Sequence, residues 1–207
     1  MQDADKNNIK TLNKAWILGG IGCIITLVGA VMSRSSTQYV TFIRRLIETL
    51  SVFASMLLFK HNLKETSKEK IEANNKKVDV LINIVLIVSG ILMIFVGIIK
   101  YKMGIGHNKV VPALITSLLG VAMNVYFTVK FGRSVKQHFD AIVNTQYRLY
   151  LLKLVIDLMV TSTVVVMLIF PTWQYLGLMD AVVSIIVSIV LCSQGAIKLI
   201  KGDNGKV

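Results

Sequence analysis

Proline is almost missing from this chain, with two in 207 residues. Proline interrupts helices by removing a donor and clashing with the preceding turn, so little here breaks up a long helix. Cysteine is equally sparse: Cys23 and Cys192 stand alone inside apolar blocks. Without a CxxC or an array of spaced cysteines there is no disulfide framework and no cysteine-based zinc motif. We read both as small buried side chains, and they do not report the redox compartment. Acidic residues are few, 11 against 23 lysines and arginines, for a formal charge of +12. A basic balance of that size suits nucleic acid or anionic lipid. No RNA- or DNA-binding motif accompanies it, so we expect no nucleic-acid partner and assign the charge to loops facing a lipid surface.

What is present in excess is apolar sequence. Hydrophobic residues make up 54% of the chain and the mean hydropathy is +0.67. A bilayer core of about 30 Å needs roughly 20 apolar residues at helical rise, and six segments reach that scale. They fall at 15–32, 40–60, 78–99, 110–130, 151–170 and 175–199. The expected fold is an all-α membrane protein, one domain over 1–207 with six transmembrane helices and no soluble domain after the last. The lipid bilayer is its first partner, and a multi-pass protein of a bacterial cell membrane is the expected localisation. The first segment follows Lys6, Lys10 and Lys14 as a signal peptide would, but five further spans favour a retained helix. Gly19, Cys23, Thr26 and Ala30 form a small-residue stripe suited to close helix contact.

Basic residues set the expected orientation. With the N-terminus cytoplasmic, the outer loops hold only Arg34, Lys100, Lys102 and Lys109, and sixteen of the 23 basic residues fall inside. Both termini are therefore expected in the cytoplasm. Trp16, Tyr39, Tyr101, Trp173 and Tyr175 stand near span ends, where amphipathic rings favour the interface. Pro171 should end span five, and Pro112 sits in the first turn of span four. The segment KHNLKETSKEKIEANNKK, between spans two and three, reads as a solvated connection or a helix extension.

Three basic and two acidic residues interrupt this pattern. Span two contains Arg44, Arg45 and Glu48, and span five contains Lys153 and Asp157. An ionised group in the membrane costs several kcal/mol unless it reaches the interface or pairs in the protein interior. Arg45 stands near an outer edge and is expected to snorkel; Glu48 is too deep for that. Spacing of four puts Arg44 with Glu48, and Lys153 with Asp157, on common helix faces. A base before an acid is the weaker order for an isolated helix, so local helix stability does not explain the pattern. We expect the two pairs to face each other between antiparallel helices. The span edges, however, leave Glu48 and Asp157 offset by roughly 10 Å along the membrane normal. Such a cluster serves either as an ion-pair lock or as a substrate or proton site.

Six spans with both ends inside and acidic i,i+4 sites on spans two and five resemble the transmembrane domain of the cation diffusion facilitator family. Asn83 in VDVLINIVLIVSG, Asn124 in GVAMNVYFTVKFGRSVKQ, Asn144 thirteen residues before Asp157, and Asp180 and Gly195 in GLMDAVVSIIVSIVLCSQGAIKLIK are similar to recurring polar and glycine positions of that family. The resemblance implies a metal/proton antiporter with a four-ligand site on spans two and five. Here the aligned positions are Arg44, Glu48, Lys153 and Asp157. Two ligands remain as carboxylates and two are cations without a usable lone pair. A single like-charge contact between unit charges at 4 Å and an effective dielectric near 20 is unfavourable by about 4 kcal/mol, so no conventional zinc site is expected. The family's glycine- and histidine-containing entry to span three is replaced by EANNKKVD. Its cytoplasmic dimerisation domain has no counterpart, which leaves a homodimer open.

His61, His107 and His138 lack the spacing of joint ligands, and GIGHNK lacks the strand-to-helix context of a phosphate loop. No nucleophile–base pair or zinc-protease motif is present, so an enzyme is not expected, nor any cofactor. The leading expectation is a secondary transporter resembling cation diffusion facilitators. It would carry out cation efflux or cation/proton exchange through Arg44, Glu48, Lys153 and Asp157, with Asn83, Asn124 and Asp180 as supporting polar groups. Its partners would be an inorganic cation and protons. The alternative is a non-transporting scaffold or interaction subunit derived from the same fold.

Overall fold

The computed structural model describes residues 2–33, 36–103, 110–170, 173 and 175–201. They form six helices: α1 Gln2–Ser33, α2 Ser36–Asn62, α3 Lys68–Met103, α4 Val110–Gln137, α5 Ala141–Ile169 and α6 Leu176–Lys201. Each matches one of the six apolar segments, to within one residue where the segment runs past the helix at 170 and 175. Most run well past them: α1 begins thirteen residues earlier, and α3 and α5 ten earlier. Hydropathy marks only the part of a helix that lipid touches. The continuations carry lysine, glutamine and asparagine; some of these are exposed, while Asn8, Asn74 and Gln146 are buried against neighbouring helices. The segment between spans two and three is thus mostly helix extension, with its turn confined to 63–67.

Five helices contain stretches long and apolar enough to cross a membrane: Asp5–Val28, Lys68–Ile99, Leu114–Gln137, Ala141–Ile169 and Ala181–Ile200. Helix α2 is not among them. At 27 residues it has the length, about 40 Å at helical rise. Arg44, Arg45 and Glu48 lower its apolarity.

Helix ends follow local chemistry. Asp140 caps α5 in an extended conformation and accepts from the Val143 N–H at 3.0 Å. Burial pushes its carboxyl above the usual aspartate value, against the opposing pull of that hydrogen bond. Helix α5 ends at Phe170, whose φ of −120° and ψ of 61° are non-helical. Pro171 follows in the sequence and disfavours helical backbone in the residue before it. At the α2–α3 turn, Glu65 Oε1 accepts from the Thr66 and Ser67 N–H groups. The Ser67 bond leads the causes that hold this carboxyl below the usual glutamate value. Asn62 then clasps α3, donating to Asn75 at 2.9 Å and accepting from Asn74 at 2.8 Å.

The helices pack most closely as α1 with α2, α4 with α5, and α3 with α6. In lipid such pairing rests on close van der Waals contact more than on a hydrophobic drive. The α3–α6 pair shows why: a Cβ at Gly195 would stand 2.6 Å from the Asn83 carbonyl oxygen, and one at Gly90 would stand 2.5 Å from Cys192 Sγ. Part of the expected stripe on α1 works the same way. Gly19 and Cys23 abut Thr49 of α2, and Thr26 reaches Arg45; the side chain of Ala30 lies outside the described residues. Phe127, Phe131 and Tyr150 form an aromatic core between α4 and α5. By contrast α2 and α5 approach each other only briefly along their backbones. Long polar side chains fill the gap between them.

Candidate functional site

Four helices contribute to that gap. On α2, positions 44, 48, 51 and 55 fall on one face, and on α5 so do 146, 150, 153 and 157. The contacts between α2 and α5 set one antiparallel register: Arg44 faces Asp157, Glu48 faces Lys153 and Ser55 faces Gln146. Glu48 and Asp157 are thus four residues apart along the pair, roughly 6 Å at helical rise, and the offset expected from the apolar segments is reduced but not removed.

Arg44 bridges the two acids. Its Nε lies 3.6 Å from Glu48 Oε1 and its Nη2 lies 3.9 Å from Asp157 Oδ1. Its Nη1 also donates to Met93 Sδ of α3 at 3.3 Å. Lys153 does not pair with Asp157 on its own helix; its Nζ crosses to Glu48 Oε2 at 3.2 Å and stands 4.9 Å from the Tyr150 ring centroid. Ser89 Oγ of α3 lies 3.5 Å from Glu48 Oε1. Arg45 turns across to α1, where Nη1 donates to Thr26 Oγ1 at 2.9 Å. Membrane-embedded guanidinium is stabilised by such an acceptor and by nearby carboxylates, and both are available here.

Of the supporting polar residues, Asn124 belongs to the site: its Nδ2 donates to Asp157 Oδ2 at 2.8 Å. Asn83 does not. It donates instead to Asp79 Oδ2 at 3.0 Å, within a second polar group in which Arg148 Nη1 stands 3.7 Å from Asp79 Oδ1. The Asp180 side chain lies outside the described residues. Sequence reading missed Ser89, Met93, Thr26, Tyr150 and the Asp79–Arg148 pair. Asp79 had a visible signal, an acid four residues before a buried asparagine. Gly120 was also missed: a Cβ there would stand 2.7 Å from Asp157 Oδ2 and 3.5 Å from Arg45 Nη2, so only glycine lets α4 approach so closely.

The charged groups line a cavity of about 200 Å³ bounded by α1, α2, α4 and α5. Most of its remaining wall is apolar, with Leu18, Ile21 and Ile25 from α1 and Leu119 and Met123 from α4, beside the polar Thr49, Thr116 and Asn124. Among the described residues no three His, Cys, Asp or Glu side chains form a group able to hold a metal ion. His61 is exposed at the end of α2, His138 follows α4, and His107 lies outside the described residues. The donor set fits no divalent metal, because each carboxylate already faces a base.

The chain is a multi-pass membrane protein. No protein-family model matches it, and no curated protein does.

Proposed function

We propose that this chain is a proton-coupled secondary transporter of charged solutes, with the cluster between α2 and α5 as its substrate and proton-exchange site. One observation carries the reading: Arg44, Arg45, Glu48, Lys153 and Asp157 converge within the membrane domain on a cavity rather than only on each other. Ionisable groups at such depth are costly, and they mark solute or proton pathways. The similarity of the span-two and span-five pattern to cation diffusion facilitators supports an exchange mechanism in which helices rock about a central site. That resemblance implies cation efflux or cation/proton exchange. In this chain a cation has to displace Arg44 or Lys153 from a carboxylate before it can bind, and the bases outnumber the acids by three to two. Glu48 and Asp157 are the proton-exchanging groups: protonation of Asp157 frees Arg44 from α5 while Arg44 keeps Glu48 on its own helix, and protonation of Glu48 releases Lys153. Each release loosens α2 from α5.

The test is flux in proteoliposomes under an imposed pH gradient, following protons and a panel of metal and organic ions. Glu48→Gln and Asp157→Asn should each reduce coupled flux at least tenfold. Unchanged flux in the double variant removes these carboxylates from the mechanism.

A non-transporting scaffold is the second reading, favoured by the engagement of both carboxylates in ion pairs. It predicts no solute flux under any gradient.

A further inference from the structure

The cavity has a polar floor and an apolar mouth, and its charge has a sign. Its lining includes three cations, Arg44, Arg45 and Lys153, and two carboxylates, Glu48 and Asp157. The excess is one positive charge within a low-dielectric wall, where each charge acts at longer range than in water. Not every donor is saturated: the Nε of Arg44, a residue nine-tenths buried, makes no hydrogen bond among the described residues, its nearest acceptor being Glu48 Oε1 in a 3.6 Å ion pair. Arg45 directs one nitrogen to Thr26 and the other past Gly120 along the cavity. Such a floor recognises an oxyanion, because guanidinium presents paired N–H donors that match phosphate and carboxylate.

The mouth identifies the rest of the ligand. Helices α1 and α4 are joined by a hydrogen bond between Ser134 and Asn8 near one end. About fourteen residues further along, roughly 21 Å at helical rise, they flank the cavity with Gly22 and Gly120. Ile21 and Leu119 at the rim remain half exposed on the surface that faces lipid. A Cβ on Gly22 would meet nothing within 4 Å. The opening is therefore apolar, lateral and free.

We propose that the cavity binds an amphiphile with an anionic phosphate or carboxylate head and a single apolar chain, entering from the bilayer between α1 and α4. The head sits against Arg44 and Arg45, and the chain leaves along Ile21 and Leu119. This rests on the reading of the cluster as a solute site and names the class of solute.

The test is calorimetric titration of the full chain in uncharged detergent with dodecyl phosphate, inorganic phosphate and dodecyltrimethylammonium. One saturable site is expected for dodecyl phosphate. Arg45→Gln should weaken it at least tenfold. Gly22→Phe, which fills the mouth without touching the charges, should abolish it. Asp157→Asn removes a negative charge and keeps the acceptor for Asn124, so it should tighten binding several-fold; a cationic solute requires the reverse. Equal binding of dodecyltrimethylammonium, equal binding of inorganic phosphate, unchanged binding in Gly22→Phe, or weaker binding in Asp157→Asn would each overturn the proposal. Because no gradient is present, binding without flux in proteoliposomes refutes transport alone, and flux of other solutes without this binding refutes the amphiphile alone.

Discussion

Replacing Arg44 with methionine isolates what the cluster contributes to the fold. The guanidinium is nine-tenths buried and stands 3.6 Å from Glu48 and 3.9 Å from Asp157. At an effective dielectric near 20, each contact is worth roughly 4 to 5 kcal/mol of direct attraction. Much of this is offset by the cost of taking the guanidinium out of water. The useful quantity is therefore the penalty of leaving a partner behind, about 3 to 5 kcal/mol for a buried pair broken on one side. The two acids are not left alike. Glu48 retains Lys153 at 3.2 Å, whereas Asp157 loses its ion pair and keeps the Asn124 amide and the more distant charges of Arg45 and Lys153. Arg44→Met should then lower unfolding stability by about 3 kcal/mol, with Asp157 bearing most of it. A second substitution, Asp157→Asn, removes the stranded charge and should recover about 2 kcal/mol of that loss. The assay is reversible unfolding in mixed micelles or by steric trapping in bicelles, applied to wild type, both singles and the double as a thermodynamic cycle. A loss below about 0.5 kcal/mol in Arg44→Met would mean that water reaches the cluster freely. A double variant no more stable than Arg44→Met would show that Asp157 does not depend on Arg44, and the bridge between α2 and α5 would fail with it.

Other positions give narrower tests. Gly195→Ala drives a methyl against the Asn83 carbonyl at 2.6 Å, backbone that cannot rotate away, and should cost about 2 kcal/mol in the same unfolding assay. Asp140→Ala removes the α5 cap and should cost about 1 kcal/mol, while Asp140→Asn keeps the acceptor and should be near neutral at pH 7. Its sign with pH is fixed by burial: the folded carboxyl titrates above its unfolded value, so its contribution to stability declines as pH rises between the two and is constant outside them. Titrating wild type against Asp140→Asn from pH 3 to 7 measures that difference. Gly120→Ala presses a methyl on Asp157 Oδ2 and should perturb the site, lowering any proton-coupled flux at least threefold while leaving helix content by circular dichroism unchanged.

The helical class and the six apolar segments were legible because lipid demands long apolar runs, and a run of twenty leaves few other readings. The end of α5 was legible for an equally local reason, Pro171. Register between distant helices was not. Hydropathy reports where a helix meets lipid, and α5 continues ten residues beyond that boundary through AIVNTQYRLY. The register that sets Arg44 against Asp157 and Glu48 against Lys153 therefore could not be taken from segment edges. Partner choice was hidden for a related reason. Spacing of four on one helix brings Lys153 and Asp157 to a common face, but spacing cannot tell whether another helix offers a better counterion. Glu48 does, at 3.2 Å.

Arg45 shows how the charge pattern and the packing determine each other. At the edge of an apolar run, a lone arginine has the interface as its cheapest destination. Beside a second arginine and opposite two carboxylates, the balance changes, because the interior already holds counterions and Thr26 supplies an acceptor on α1. Its inward turn places a third cation at the cavity and makes the site net positive. The tight contact at Gly120 belongs to Asp157: a Cβ there would stand 2.7 Å from its Oδ2, whereas Arg45 Nη2 at 3.5 Å would meet it in ordinary contact. Helix α4 and Asp157 thus fit one another through that glycine, while Arg45 adds a third cation to a cavity whose two carboxylates already face bases.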